Sequence, residues 1–342
     1  MMRGPRDDAA PAATVVPEAD LPSGDDRRGD LGVVLVVAVV MAAAILRPLL
    51  EDVLDRPAIG HWATLFVSVF VQALPFLVLG VGISAAIAAF VPPGAIVRLL
   101  PRRPMFAVPV AAAAGVALPG CECGSVPIAG RLVARGAPAA AALAFLLSAP
   151  AINPVVLVAT AVAFPGQPEV VAARFLASLL AATAVGLIWA RTGRDALLDR
   201  ARRRPVHEGR PLAVLAATAQ HDLLHAGGFL IVGAATAATL QTVVPRSVLD
   251  AVADSGPFAY LALAGLAVVM ALCSEADAFV AASLTQFSLG ARLTFLVVGP
   301  MVDVKLFALQ TGTFGRAFAV RFAPLTFAVA VISSVLIGWW LL

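Results

Sequence analysis

Charge is scarce in this chain. Only 13% of the 342 residues are charged while 61% are hydrophobic, and the mean hydropathy is +0.94; an average soluble domain is about 25% charged. So little polar surface cannot cover a water-facing globule, which excludes a soluble enzyme and a nucleic-acid binder. The net charge of +3, from 24 Lys+Arg against 21 Asp+Glu, is too small to define a polyanionic partner. Lysine is almost missing: Lys305 is the only one, and the other basic residues are arginines. The three cysteines cannot make a disulfide framework. No G-x-x-x-x-G-K-[ST] segment occurs, so ATP hydrolysis within this chain is not expected. The remaining class is an all-α integral membrane protein, a polytopic helical bundle.

Residues 1–30 are rich in Pro, Ala, Asp and Arg and read as a disordered cytoplasmic tail. Residues 31–58 read as a retained signal-anchor helix and loop, because the leader before them is long and more acidic than basic. A bilayer core of about 30 Å takes about 20 apolar helical residues. By that measure 62–92, 137–164, 168–190, 212–245, 288–312 and 317–342 can each span. The stretches 104–120 and 257–273 are marginal, and each runs through a polar, cysteine-containing break into a shorter one, 125–134 and 278–285. Such a break is tolerated at depth where protein or a cavity satisfies the backbone, as in a re-entrant hairpin or a broken helix.

The chain also repeats. Residues 121–153 align without a gap on 271–303: Cys123 falls on Cys273, Pro127 on Asp277, Phe145 on Phe295, Pro150 on Pro300 and Asn153 on Asp303. Upstream, at a shift of 153, Phe76 falls on Phe229, Gly80 on Gly233 and Pro92 on Pro245. The reading is a first repeat over 59–190, a basic cytoplasmic linker over 191–211 and a second repeat over 212–342. Arginine placement orients them. The linker, Arg98, Arg102, Arg103, Arg131 and Arg135 are placed inside, so 104–134 enters and leaves on one face. Each half then crosses three times, and the second is inverted relative to the first, a plan that puts a site at the bilayer midplane; hairpins that spanned fully would make the halves parallel instead.

The chemistry concentrates at the breaks. Pro119, Gly120, Gly124 and Pro127 surround Cys121, Glu122 and Cys123, and are expected to break the helix so that both thiols turn inward. All three cysteines lie at the two equivalent breaks, so Cys121, Cys123 and Cys273 are candidate ligands for a soft acceptor such as Cu(I), Zn(II) or trivalent arsenic. Glu275 and Asp277 in the second break, together with Glu122, are candidates for cation or proton coupling, since ionisable groups at membrane depth usually face a pathway or a partner. Pro150 beside Asn153, and Pro300 beside Asp303, are expected to open helix ends that form ion sites. Lys305 is read as snorkelling to the cytoplasmic interface, His221, Asp222 and His225 as interfacial helix capping, and Trp339 and Trp340 as an aromatic anchor.

The segments PGCECGSVP, FLLSAPAIN, CSEADAFVAASL and FLVVGPMVD resemble the bacterial predicted-permease family that includes the organoarsenical efflux permeases. The resemblance covers about 60–340. It implies a multi-pass permease of the bacterial inner membrane, and some members export trivalent arsenicals while others are associated with copper, zinc or arsenite. By similarity Cys121, Cys123, Cys273, Pro150, Asn153 and Asp303 occupy motif positions. It also implies, for some members, a second small membrane protein as partner.

The expectation is therefore a secondary efflux transporter of a soft metal or metalloid species, with lipids and that small substrate as its partners, the resemblance adding a second small membrane protein, and with no nucleic acid, no cofactor and no enzymatic activity. The alternative is a membrane thiol–disulfide oxidoreductase, with Cys121 or Cys123 exchanging with Cys273.

Overall fold

The computed structural model describes residues 57–92, 98, 100–101, 103–118, 121–192, 195–202, 210–243 and 257–342. The expected tail and most of the anchor, Pro119, Gly120, Arg102 and the middle of the basic linker lie outside the described residues. Among those described, no strand occurs and the chain is all helix and short turns.

Six helices open on a proline: α1 (Pro57–Phe90), α2 (Pro104–Ala114), α5 (Pro154–Ala163), α6 (Pro168–Thr192), α8 (Pro211–Val243) and α9 (Pro257–Met270). Proline suits the first helical position, where its missing N–H would have found no partner anyway. The others are α3 (Glu122–Ala134), α4 (Ala139–Ile152), α7 (Asp199–Arg202), α10 (Asp277–Ser283), α11 (Leu289–Val298), α12 (Val304–Phe314) and α13 (Arg316–Leu341). Among the described residues, five helical stretches are long and apolar enough to cross a membrane: 59–90, 139–163 (α4 and α5 across a bend at Asn153), 168–192, 211–242 and 316–341. They match five of the six spans read from hydropathy. The sixth, 288–312, is two half-helices, α11 and α12. The chain turns at 299–303 because Pro300 cannot donate to the helix ladder and Asp303 starts a new one.

The outer faces of the long helices carry Val67, Val71, Leu224, Val232, Val320 and Ile332 in the open, whereas Glu122, Arg131, Arg174, Asp222, Asp277, Asp303 and Lys305 are buried. That is the reverse of a soluble protein and the arrangement a lipid solvent selects.

Close contacts fix the directions. A Cβ on Gly186 of α6 would meet Val108 of α2 and Ala140 of α4, and one on Gly115, just past α2, would meet Ser148 and Ala149 near the end of α4. Hence α2 runs alongside α4 in the same sense, while α3 joins α4 through a short turn in which Gly136 takes φ 91°. The α2–α3 pair is thus a hairpin that returns to the end it started from. Similarly Tyr260 of α9 abuts Gly290 at the start of α11, and Ala267 lies by Gly299 at its end. The helices α1 and α8 run antiparallel: the Trp62 indole donates to Thr239 at 2.9 Å, and Ser84 donates to Asp222 at 3.0 Å. At the other side of the bundle Trp189, late in α6, packs edge-on against Phe318 and Phe322, early in α13.

Several expectations need correction. Gly124 and Pro127 lie inside α3, and Pro150 lies inside α4, so none of the three ends its helix; the breaks fall before Cys121 and at Asn153. Arg131, which the charge pattern places on the inner side, is buried against Asp222 at 3.0 Å. His221, Asp222 and His225 sit well inside α8, which begins at Pro211, so they cap nothing; the His225 ring meets the Gly312 carbonyl at 3.1 Å.

Candidate functional site

The two breaks meet. Cys121 is the extended residue immediately before α3, and Cys273 lies in the irregular stretch 271–276 between α9 and α10. One ligand atom each from Cys121, Glu122 and Cys273 falls within 4.8 Å of the others, and all three residues are buried. Cys123, also buried, is one residue into the helix, and the Cys121 sulfur is within interaction range of both other thiols. Pro127 supplies no N–H to the carbonyl four residues back, which leaves the Cys123 carbonyl without its helical donor.

Lys305 closes the cluster. Its ammonium lies 2.5 Å from Glu122 Oε1 and 3.7 Å from Asp303 Oδ2, donates to the Ala271 carbonyl at 3.2 Å and approaches Cys273 Sγ at 3.9 Å. It has no exposed surface, so the interfacial reading of this lysine is overturned. Its ammonium is held inside by Glu122, Asp303 and the Ala271 carbonyl, and α8 packs closely over its backbone: a Cβ on Gly233 would come within 2.9 Å of Lys305 Cα. On the opposite wall Gly80 of α1 presses on the Gly124 backbone. Ala271 has φ 45°, the one positive value for a non-glycine among the described residues. That uncommon conformation accompanies the carbonyl that faces the ammonium.

Depth follows from helix geometry. Gly80 stands ten residues before the end of α1, and Gly233 ten before the end of the antiparallel α8. At 1.5 Å per residue each is about 15 Å from its own end, so the cluster lies midway through the bundle.

Asn153 and Asp303 are N-caps. The Asn153 side chain accepts from the Val156 N–H at 3.0 Å to start α5, and the Asp303 carboxylate accepts from the Leu306 N–H to start α12. Two buried ion pairs flank the cluster. Arg174 of α6 donates to Asp277 at 2.9 Å, to the Ser274 carbonyl at 3.1 Å and to Thr160 at 2.8 Å. Arg131 of α3 joins Asp222 of α8, which also accepts from Ser84 of α1. Glu275 stands in the turn between Cys273 and Asp277, partly buried as a residue but with both carboxylate oxygens enclosed.

This buried polar centre inside an apolar bundle has relatives. Residues 58–339 match the predicted-permease family. The chain belongs to that family. The permease is 38% identical over 276 residues to the UPF0718 protein YcgR of Bacillus subtilis, covering 79% of this chain and 93% of the relative. It is 30% identical over 283 residues to the "Putative two-component membrane permease complex subunit" of Streptococcus mutans, covering 80% and 94%. No solved structure matches. It is accordingly a multi-pass membrane permease.

Sequence reasoning brought the permease's Cys121, Cys123, Glu122, Cys273 and Asp303 to notice, and the structure gathers them. It placed Asp277 and Glu275 at the same break, but Asp277 is engaged by Arg174. It missed Lys305 as a centre and Arg174 altogether. A single lysine in a chain otherwise furnished with arginine was the available signal for the first. Arg174, the one charge between Glu169 and Arg191 in a spanning segment, was the signal for the second.

Proposed function

We propose that the permease is a secondary efflux transporter of a soft metal or metalloid species, bound at the bilayer midplane by Cys121, Cys123 and Cys273. The observation that carries the reading is the closeness of Cys121, Glu122 and Cys273, which arrive from two interrupted segments far apart in the chain. Soft sulfur donors select soft acceptors, and a carboxylate beside them supplies the charge that a cationic form requires. We read 59–190 and 212–342 as inverted repeats: α1 and α8 run in opposite senses, and equivalent N-caps start α5 and α12. Alternating access is then a rocking of one repeat against the other about the shared cluster. Proton coupling falls to Glu122, Glu275 or Asp277, and the basic linker faces the cytoplasm of a bacterial inner membrane. The complex-subunit name of the streptococcal relative supports a second membrane protein as partner.

The test is expression in a host sensitive to arsenite, methylated trivalent arsenicals, copper and zinc, with cellular content measured for each. Content of one ion falls with the wild-type chain and not with Cys121→Ser/Cys273→Ser at equal membrane abundance. Full resistance from the double serine chain overturns the thiol site. The apposition of Cys121 and Cys273 also suits thiol–disulfide exchange across the membrane. A trapped mixed disulfide with a thioredoxin-like protein, without change in ion content, selects that second reading.

A further inference from the structure

Lys305 occupies the place of a cation. Its ammonium is held by a carboxylate from one interrupted segment, Glu122, and by a carbonyl and a sulfur from the other, Ala271 and Cys273, with Asp303 behind it. These are the donors that would otherwise surround a soft metal ion: Glu122 and Cys273 belong both to the ligand cluster and to the lysine's own shell. The tether is short and its base is fixed, because Lys305 sits on the first turn of α12 with Gly233 of α8 packed on its backbone.

We infer that Lys305 is a built-in competitor: a tethered cation that holds the site when substrate is absent and that an incoming soft cation must displace from Glu122. The inference rests on the thiol-site reading above. A midplane site made only of thiols and carboxylates would hold a soft dication too firmly to release it. An ammonium that re-forms its pair with Glu122 as the ion departs lowers the affinity and returns the site to a closed state. Its electrostatic part is large because two positive charges a few ångströms apart repel strongly where water is excluded. Lys305 thereby sets selectivity as well: only an acceptor that bonds to sulfur strongly enough to overcome the ammonium gains entry, so soft ions pass and hard divalent ions of equal charge do not.

The test uses the purified full-length chain in detergent with Cd2+ alone as probe, read by cadmium–thiolate absorption against a competing chelator, and transport in proteoliposomes. Lys305→Met is expected to bind Cd2+ at least about tenfold more tightly than wild type while Cd2+ efflux falls at least about tenfold. A merely structural lysine would lower both. Should Lys305→Met fail to fold because Glu122 is left unpaired, Lys305→Gln removes the charge while leaving a side-chain N–H for Glu122 and all the ligands in place, and the same tighter binding is expected. If wild type binds Cd2+ through Cys121 and Cys273 but neither variant binds more tightly, the competitor role is wrong and the thiol site stands. If no chain binds Cd2+, both readings fall. Mg2+ is the selectivity control: uptake of Mg2+ by the variants and not by wild type supports the role, and continued exclusion by the variants removes the selectivity part of it.

Discussion

Arg174 and Asp277, 103 residues apart in sequence, meet at 2.9 Å with both side chains sealed from solvent. The arginine also holds the Ser274 carbonyl, one residue beyond Cys273, so this pair anchors the second break from the side opposite Lys305. Removing one partner of a buried pair leaves an uncompensated charge, at a cost of about 3–5 kcal/mol. Arg174→Leu and Asp277→Leu should each lower the unfolding temperature in detergent substantially, and the double substitution should recover most of the loss. Circular dichroism during heating measures it, and a double variant as unstable as the singles would contradict the account.

The contact of α1 with α3 depends on two glycines. A side chain at Gly80 would overlap the Gly124 backbone, whereas Gly82, two residues on, has open space around its Cβ position. Gly80→Leu is expected to deplete folded protein from the membrane fraction, an overpacking cost of about 1–3 kcal/mol or more. Gly82→Leu should accumulate like wild type. Immunoblots and fluorescence-detected size exclusion decide between them.

At Ala271 the backbone is left-handed, which costs an L-residue about 1–2 kcal/mol. Ala271→Gly should therefore be close to neutral, relief of that strain being partly offset by the extra freedom of the unfolded chain. Ala271→Val should be destabilising, since a branched side chain tolerates that region least. Chemical unfolding of the two purified variants gives the comparison, and equal stability would show that the turn is not needed.

The breaks were readable because proline, glycine and polar residues stand out against an apolar background, and the two-cysteine register pointed to their meeting. The five long helices were readable from hydropathy for the same reason. Where sequence reading went astray, the deciding quantity was packing. Pro127 reads as a breaker, yet in the second turn of α3 it costs only one ladder bond and the helix continues. Asp222 and the histidines read as an interfacial cluster because they lie near the basic tract, and nothing in the local sequence says that Arg131 waits inside for Asp222. Lys305 was misplaced because the general habit of lysines in membranes is to reach outward; only the approach of Gly233 and the position of Glu122 reverse it.

All three thiols are buried. A membrane-permeant maleimide should label the folded permease slowly and the denatured chain rapidly, with quantification by mass spectrometry. Cys121, before the helix, is expected to react sooner than Cys123 once substrate-driven opening begins. Labelling of native protein at the denatured rate would show that the cluster lies open.

With its one lysine enclosed, the folded permease offers no side-chain amine to acylating reagents. Succinimidyl esters, glutaraldehyde and a lysine-specific protease all lack a side-chain target until the bundle parts. Acylation at position 305 would consequently serve as a clock, counting how often the two interrupted segments separate in the resting protein.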